Sequence, residues 1–125
     1  MKKRILVVDD EPALTRMVKL NLERTGNYEV RTENQGRMAV PAAKEFKPDL
    51  IFLDVMMPDM GGDEVSILLK EDEELSKIKF IFMTAIVTRA ETDAMGSNIG
   101  GNEFLAKPVR TDELIAAIER VLGES

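Results

Sequence analysis

At 125 residues the chain has the size of one ordinary domain, with 44% hydrophobic and 32% charged residues, typical of a globular protein. It contains no cysteine and no histidine, which excludes disulfide frameworks, thiolate sites and histidine-based catalysis and leaves oxygen chemistry for any site. The net charge of -6 argues against direct nucleic-acid binding, and the longest apolar runs, about five or six residues, are too short for a membrane span or a signal peptide. We therefore expect a cytoplasmic protein.

The apolar pattern alternates between short blocks and longer amphipathic stretches. In chain order it predicts strand 5–8, helix 11–25, strand 28–32, helix 36–46, strand 50–53, helix 63–71, strand 80–83, a weaker helix 89–95, strand 104–106 and a last helix with its apolar stripe over 114–122. Blocks that are apolar throughout are typical of strands buried on both faces. This succession predicts an α/β fold with a parallel sheet between two helical layers, in a single domain over residues 1–125.

Proline, threonine and glycine refine these elements. Pro41 falls inside the second predicted helix and is expected to kink it or to move its start. Thr111 is the predicted N-cap of the last helix, because its hydroxyl can accept a bond from an unpaired backbone N–H. Three glycines predict a loose segment over 88–101, since glycine adds backbone entropy that ordering must remove.

Polar side chains follow four of the predicted strands directly. In chain order they are Asp9, Asp10 and Glu11, then Asp54, Thr84 and Lys107. Taken singly, each has an ordinary structural explanation, as a helix cap, a strand end, a turn hydroxyl or a surface lysine. Because the carboxyl ends of parallel strands meet at one edge of the sheet, where such folds bind ligands, we expect these side chains to converge.

The chemistry of this set points to phosphoryl transfer. Two adjacent carboxylates, Asp9 and Asp10, are more than a cap requires, and oxygen ligands without nitrogen or sulfur suit Mg²⁺ or Mn²⁺. Once ionised, Asp54 is a suitable nucleophile for forming an aspartyl phosphate. Lys107 and Thr84 would contact oxygens of the incoming group, whose transfer depends on positioning and charge stabilisation.

Four strings in this order carry a resemblance to a known family. They are residues 7–11 (VVDDE), Asp54 followed by 57–58 (MP) and Gly62, residues 84–85 (TA), and residues 104–108 (FLAKP). Over its whole length the chain resembles response-regulator receiver domains of two-component signalling. The resemblance implies a five-stranded parallel, doubly wound sheet of order 2-1-3-4-5 with five helices. It also implies that Asp54 accepts a phosphoryl group from a sensor histidine kinase or a histidine phosphotransfer protein, in a switch rather than an enzyme.

The resemblance further implies a metal site around the acceptor. Asp10, Asp54 and the backbone carbonyl of Met56 would hold Mg²⁺, or Mn²⁺, and Asp9 would act through a water molecule. The Met56 side chain occupies a position that influences how long the phosphoryl group lasts. A bulky apolar group there cannot orient water by hydrogen bonding.

Thr84 and Phe104 are the switch pair that the same resemblance implies. Thr84 would move toward the phosphoryl group, and Phe104 would turn into the vacated space. The face made by the fourth helix, the fifth strand and the fifth helix would then change shape and meet an output partner or output domain. The resemblance also allows dimerisation of the phosphorylated form.

Three other interpretations are compatible with the sequence. The chain is either a natural single-domain messenger or a fragment of a larger regulator with a C-terminal output domain. A Mg²⁺-dependent aspartyl phosphatase is less favoured, because that chemistry usually has two aspartates two positions apart after the first strand, whereas Asp9 and Asp10 are adjacent. A receiver-like module that is never phosphorylated would have no need for crowded carboxylates.

Overall fold

The computed structural model describes residues 2–85, 98–99 and 102–123. Six strands are described, namely β1 (Lys3–Val8), β2 (Tyr28–Glu33), β3 (Leu50–Asp54), β4 (Lys79–Thr84), β5 (Asn98–Ile99) and β6 (Asn102–Ala106). The helices of the same residues are α1 (Pro12–Arg24), a 3₁₀ turn (Gly36–Met38), α2 (Ala39–Phe46), α3 (Gly62–Glu71) and α4 (Thr111–Leu122). Within this part of the chain no helix is long and apolar enough to cross a membrane.

The strands form one sheet in the order β2-β1-β3-β4-β6-β5. The first five of these are parallel neighbours, so the predicted five-stranded order 2-1-3-4-5 is confirmed, with β6 as the fifth predicted strand. The short β5 pairs antiparallel with β6 and is an addition that the apolar pattern did not predict. The predicted helix 89–95 lies outside the described residues, as does most of the segment 88–101 that we expected to be loose.

The sheet separates two apolar clusters, as a doubly wound fold requires. Ile5 and Val7 of β1 face the cluster that α1 and α4 cover, whereas Leu6 and Val8 face the cluster that α2 and α3 cover. All four of these side chains are fully buried, which confirms that residues 5–8 of β1 are buried on both faces of the sheet. Burial on both faces leaves the strand ends as the places where the central strands can present polar groups.

The structure revises the predicted starts of two helices. Pro41 lies in the first turn of α2, where its missing N–H leaves no broken helical bond, and the α-helix begins at Ala39, after the 3₁₀ turn, instead of at Gly36. Thr111 as the N-cap of α4 was wrong by one residue. Arg110 has the extended backbone of a cap, and its N–H donates to Glu113 Oε1 at 3.1 Å.

The loop that follows β3 is held tightly against the strand end by Gly62. The Gly62 N–H donates to the Val55 carbonyl at 2.9 Å, and a Cβ at this position would lie 2.3 Å from the carbonyl oxygen of Asp54. We expect Gly62→Ala to lower the free energy of unfolding by about 1–3 kcal/mol, because backbone must shift to admit the methyl group. The midpoint of urea unfolding would measure this loss.

Gly61 provides the matched control for that substitution. A Cβ at Gly61 would lie 2.7 Å from the Asp63 carboxylate, a flexible group, and 3.1 Å from the carbonyl oxygen of Val55, a far less severe backbone contact than the one at Gly62. Gly61→Ala should therefore cost clearly less than Gly62→Ala. Equal urea midpoints for the two variants would show that the close approach at Gly62 does not constrain the end of β3.

Candidate functional site

The strand register brings the predicted site residues to one edge of the sheet. Val8 pairs with Leu53 across β1 and β3, so Asp9 and Asp54 follow at the same level. Thr84 is paired with Ala106 across β4 and β6, and Lys107 comes one residue later. The Lys107 N–H donates to the Thr84 carbonyl at 2.9 Å, which continues the pairing to the edge.

Three carboxylates lie together at this edge. Asp9, Asp10 and Asp54 each offer an oxygen atom, and these oxygens all lie within 4.8 Å of one another. Asp9 and Asp54 are buried, with 0% and 2% of their surface exposed, whereas Asp10 is half-buried. Buried charges this close are costly unless a cation neutralises them.

Lys107 supplies a positive charge to this cluster. Its Nζ lies 2.7 Å from Asp9 Oδ2, 2.9 Å from Glu11 Oε2 and 3.4 Å from Asp54 Oδ1. Only 12% of the Lys107 side chain is exposed. Lys107 thus forms ion pairs with all three carboxylates, and its contact with Asp54 is the longest of the three.

The Asp54 carboxyl is harder to ionise than an ordinary aspartate. Burial, followed by the charge of Asp9, raises the pKa of Asp54 to about 6, against the opposing effect of Lys107. Burial also raises the pKa of Asp9 above its usual range. Burial alone would lower the pKa of Lys107, but its contacts with Asp9 and Glu11 raise that pKa above the ordinary lysine value. The cluster therefore carries more negative charge than one ammonium neutralises.

The residues present fit a divalent cation with oxygen ligands. Asp9 Oδ2 is buried and, among the described residues, accepts no hydrogen bond of good geometry, although the shared ammonium of Lys107 is near. The other donors of the cluster are carboxylate oxygens of Asp10 and Asp54. Hard oxygen donors with excess negative charge are the ligands that Mg²⁺ and Mn²⁺ prefer.

The loop after β3 holds Asp54 from one side. The Met56 N–H donates to Asp54 Oδ1 at 3.3 Å, and the Met56 side chain is 64% exposed. The exposed side chain is apolar and contributes no polar group to the site. The role of the Met56 carbonyl as a metal ligand stays a prediction.

The two residues of the expected switch lie on one face of the sheet. Thr84, at the end of β4, is 1% exposed. Two positions earlier on β4, the ring of Phe82 packs against the ring of Phe104 with centroids 5.1 Å apart. Side chains alternate between faces along a strand, so Phe82 and Thr84 point to the same side. Phe104 is half-buried in this arrangement, and its role as a switch stays a prediction.

Two polar residues that the sequence did not single out hold the acidic turn in place. Asn34 Nδ2 donates to the Asp9 carbonyl at 2.8 Å and to Thr15 Oγ1 at 3.0 Å. The Asp9 carboxylate accepts the Glu11 N–H at 2.9 Å, and Glu11, the N-cap of α1, makes no side-chain capping bond. The sequence feature that could have identified Asn34 is its position as a short amide residue directly after β2, beside the same edge of the sheet.

The fold and this edge define a doubly wound α/β protein with an oxygen-rich site built around a buried aspartate. The chain belongs to the response regulator receiver domain family, whose model matches residues 5–119. It is 36% identical, over its whole length, to the alkaline phosphatase synthesis transcriptional regulatory protein PhoP of Bacillus subtilis, and covers 50% of that protein. It is 30% identical to the polar-differentiation response regulator DivK of Brucella anthropi, with 100% of both chains covered.

A solved structure shows the same fold. The chemotaxis protein CheY4 of Vibrio cholerae matches with a TM-score of 0.81 at 27% identity, over 97% of this chain and 99% of that one. The chain spans about half the length of PhoP and of the DNA-binding regulators RpaA and MtrA, with 50%, 48% and 50% of those proteins covered. Its relatives are therefore both longer regulators and a regulator of its own length.

Proposed function

We propose that residues 1–125 form a receiver domain that accepts a phosphoryl group on Asp54 from a phosphohistidine of a sensor histidine kinase or a histidine phosphotransfer protein. The observation that carries this proposal is the position of Asp54. It is a buried carboxylate at a strand end, within reach of two further carboxylates and of the Lys107 ammonium. A purely structural aspartate has no need of such costly surroundings.

The proposed reaction forms one bond and breaks one. An ionised Asp54 oxygen attacks phosphorus, the oxygen–phosphorus bond forms, and the bond between phosphorus and the donor imidazole breaks, with the electron pair leaving on nitrogen. Lys107 and the Thr84 hydroxyl stabilise the negative charge on the phosphoryl oxygens. A bound Mg²⁺ or Mn²⁺, held by Asp10, Asp54 and the Met56 carbonyl with Asp9 acting through water, would supply further neutralisation of that charge.

The phosphoryl group would then act as a switch. The acyl phosphate carries about -1.5 to -2 charges in place of the single negative charge of the Asp54 carboxylate. Its oxygens attract the Thr84 hydroxyl, and the movement of Thr84 frees space for the Phe104 ring. The rearranged face, which includes β6 and α4, would contact an output partner or an output domain. The relatives are response regulators, so we infer a cytoplasmic signalling protein, not an enzyme that turns over a separate substrate.

The longer relatives and the relative of equal length favour different routes of output. PhoP is a transcriptional regulator about twice as long as this chain, which favours an attached output domain, whereas DivK matches end to end, which favours a separate partner. The gene sequence beyond the codon for Ser125 separates these two cases.

Labelling by acetyl phosphate tests the proposed function. In the presence of Mg²⁺ we expect the protein to gain the mass of one phosphoryl group, measured on the intact chain. Chelation of the metal with EDTA should abolish the gain, because the buried carboxylates then repel the anionic donor. Labelling that survives EDTA would contradict a metal-dependent site, and restoration by added Mg²⁺ controls for damage by the chelator.

A further inference from the structure

The three carboxylates around Lys107 differ in how freely they can move. Asp9 and Asp54 are held at strand ends, and their side chains are 0% and 3% exposed. The Glu11 side chain is 59% exposed and reaches Lys107 from the N-terminal end of α1. Glu11 is therefore the one contact of the three that can be broken by a rotation into water at low cost.

The distances show that the Lys107 ammonium lies closer to Asp9 and Glu11 than to Asp54. Its Nζ is 2.7 Å from Asp9 and 2.9 Å from Glu11, but 3.4 Å from Asp54. An ammonium has three hydrogens, so each bond to one carboxylate limits its reach to another group. The backbone of Glu11 is anchored, because its carbonyl accepts the N–H groups of Leu14 and Thr15. The Glu11 carboxylate therefore attracts the Lys107 ammonium toward the N-terminal end of α1.

We propose that Glu11 is a positioning residue that competes with the acceptor site for Lys107 and restrains phosphoryl transfer to Asp54. This inference rests on the proposed function, in which Lys107 must contact an oxygen of the phosphoryl group. Transfer then requires the ammonium to give up Glu11. The negative charge of Glu11 also repels an anionic donor as it approaches.

The competition predicts opposite effects on an anion and on a cation. Loss of the Glu11 charge frees Lys107 and removes a repulsion, so an anionic phosphoryl donor should react faster. The same loss leaves less negative charge to attract Mg²⁺, and a freed Lys107 can pair more closely with Asp9 and Asp54. Mg²⁺ binding should therefore be weaker or unchanged. A general folding defect would impair both.

The test is Glu11→Gln, which keeps the shape of the side chain and removes its charge. At saturating Mg²⁺, the rate of labelling by acetyl phosphate should rise about two- to fivefold, the factor that corresponds to one exposed ion pair. The Kd for Mg²⁺ alone, measured by titration calorimetry on the unlabelled protein, should stay the same or increase. Glu73→Gln, in the exposed loop before β4, is the matched control and should change neither quantity.

A measurement without donor or metal checks the contact itself. The Nζ resonance of Lys107 in ¹⁵N spectra should shift in Glu11→Gln and stay in place in Glu73→Gln. An unmoved resonance, an unchanged or slower labelling rate, or a tighter Kd for Mg²⁺ would overturn the inference. A wild type that takes no label overturns the proposed function, whereas a labelled wild type with an unaltered Glu11→Gln rate overturns only the role of Glu11.

Discussion

Asp54→Asn is expected to abolish the gain of a phosphoryl group from acetyl phosphate in the presence of Mg²⁺. The amide has the size of the carboxylate but no anionic oxygen to attack phosphorus. The fold should survive, because the substitution removes a buried charge that Asp9 repels. Intact mass measures the loss of labelling, and circular dichroism checks that the variant is folded.

Neighbouring carboxylates make a control necessary for this experiment. Asp63→Asn removes one charge from the exposed first turn of α3, close to the loop after β3, and should be labelled like the wild type. Peptide mapping of the labelled wild type should place the group on Asp54 and not on Asp9 or Asp10. Undiminished labelling of Asp54→Asn would show that another carboxylate is the acceptor.

The parts of this site that the sequence predicted are those that depend on chain order alone. A fully apolar block followed by an aspartate predicts a strand end, and parallel strands bring their ends together, so the convergence of Asp9, Asp54, Thr84 and Lys107 was predictable. The strand order needed more than periodicity, because many orders are compatible with five strands. It came from the resemblance of the short strings to a family, and the pairing of the strands confirmed it.

The parts that the sequence did not predict depend on local geometry. Whether Arg110 or Thr111 caps α4 is decided by the backbone angles of one residue, and both are compatible with the same apolar stripe. The bonds from Asn34 to Asp9 and Thr15 join segments that are far apart in the chain. The unequal sharing of Lys107 follows from differences of less than 1 Å among three distances, which no spacing encodes.

Lys107→Gln is expected to lower the free energy of unfolding by about 2–4 kcal/mol at pH 7 without divalent cations. The substitution removes the ammonium closest to Asp9 and leaves that buried carboxylate facing Asp54 and Glu11. A buried charge that loses its partner pays its desolvation cost without compensation. Urea unfolding, followed by circular dichroism, measures the difference.

The loss of unfolding free energy in Lys107→Gln is expected to decrease as the pH falls. In the wild type the pKa of Asp54 is raised from 3.8 to about 6, so between those values the folded state binds more protons than the unfolded state. For such a group the free energy of unfolding rises as the pH falls through this window. Without Lys107 the carboxyls of Asp9 and Asp54 are harder still to ionise. The loss of unfolding free energy in Lys107→Gln should therefore be largest at pH 7 and become smaller toward pH 4.

Neutralising the cluster by other means should recover the lost stability. The double variant Lys107→Gln with Asp9→Asn removes one of the repelling charges and should unfold at higher urea than the single variant. Millimolar Mg²⁺ should also stabilise Lys107→Gln, since a ligand that binds only the folded state adds its binding free energy. Lys77→Gln, at an exposed position before β4, controls for the loss of a positive charge. An equal deficit in Lys107→Gln at pH 7 and pH 4 would show that packing of the lysine stem, and not its charge, stabilises this edge of the sheet.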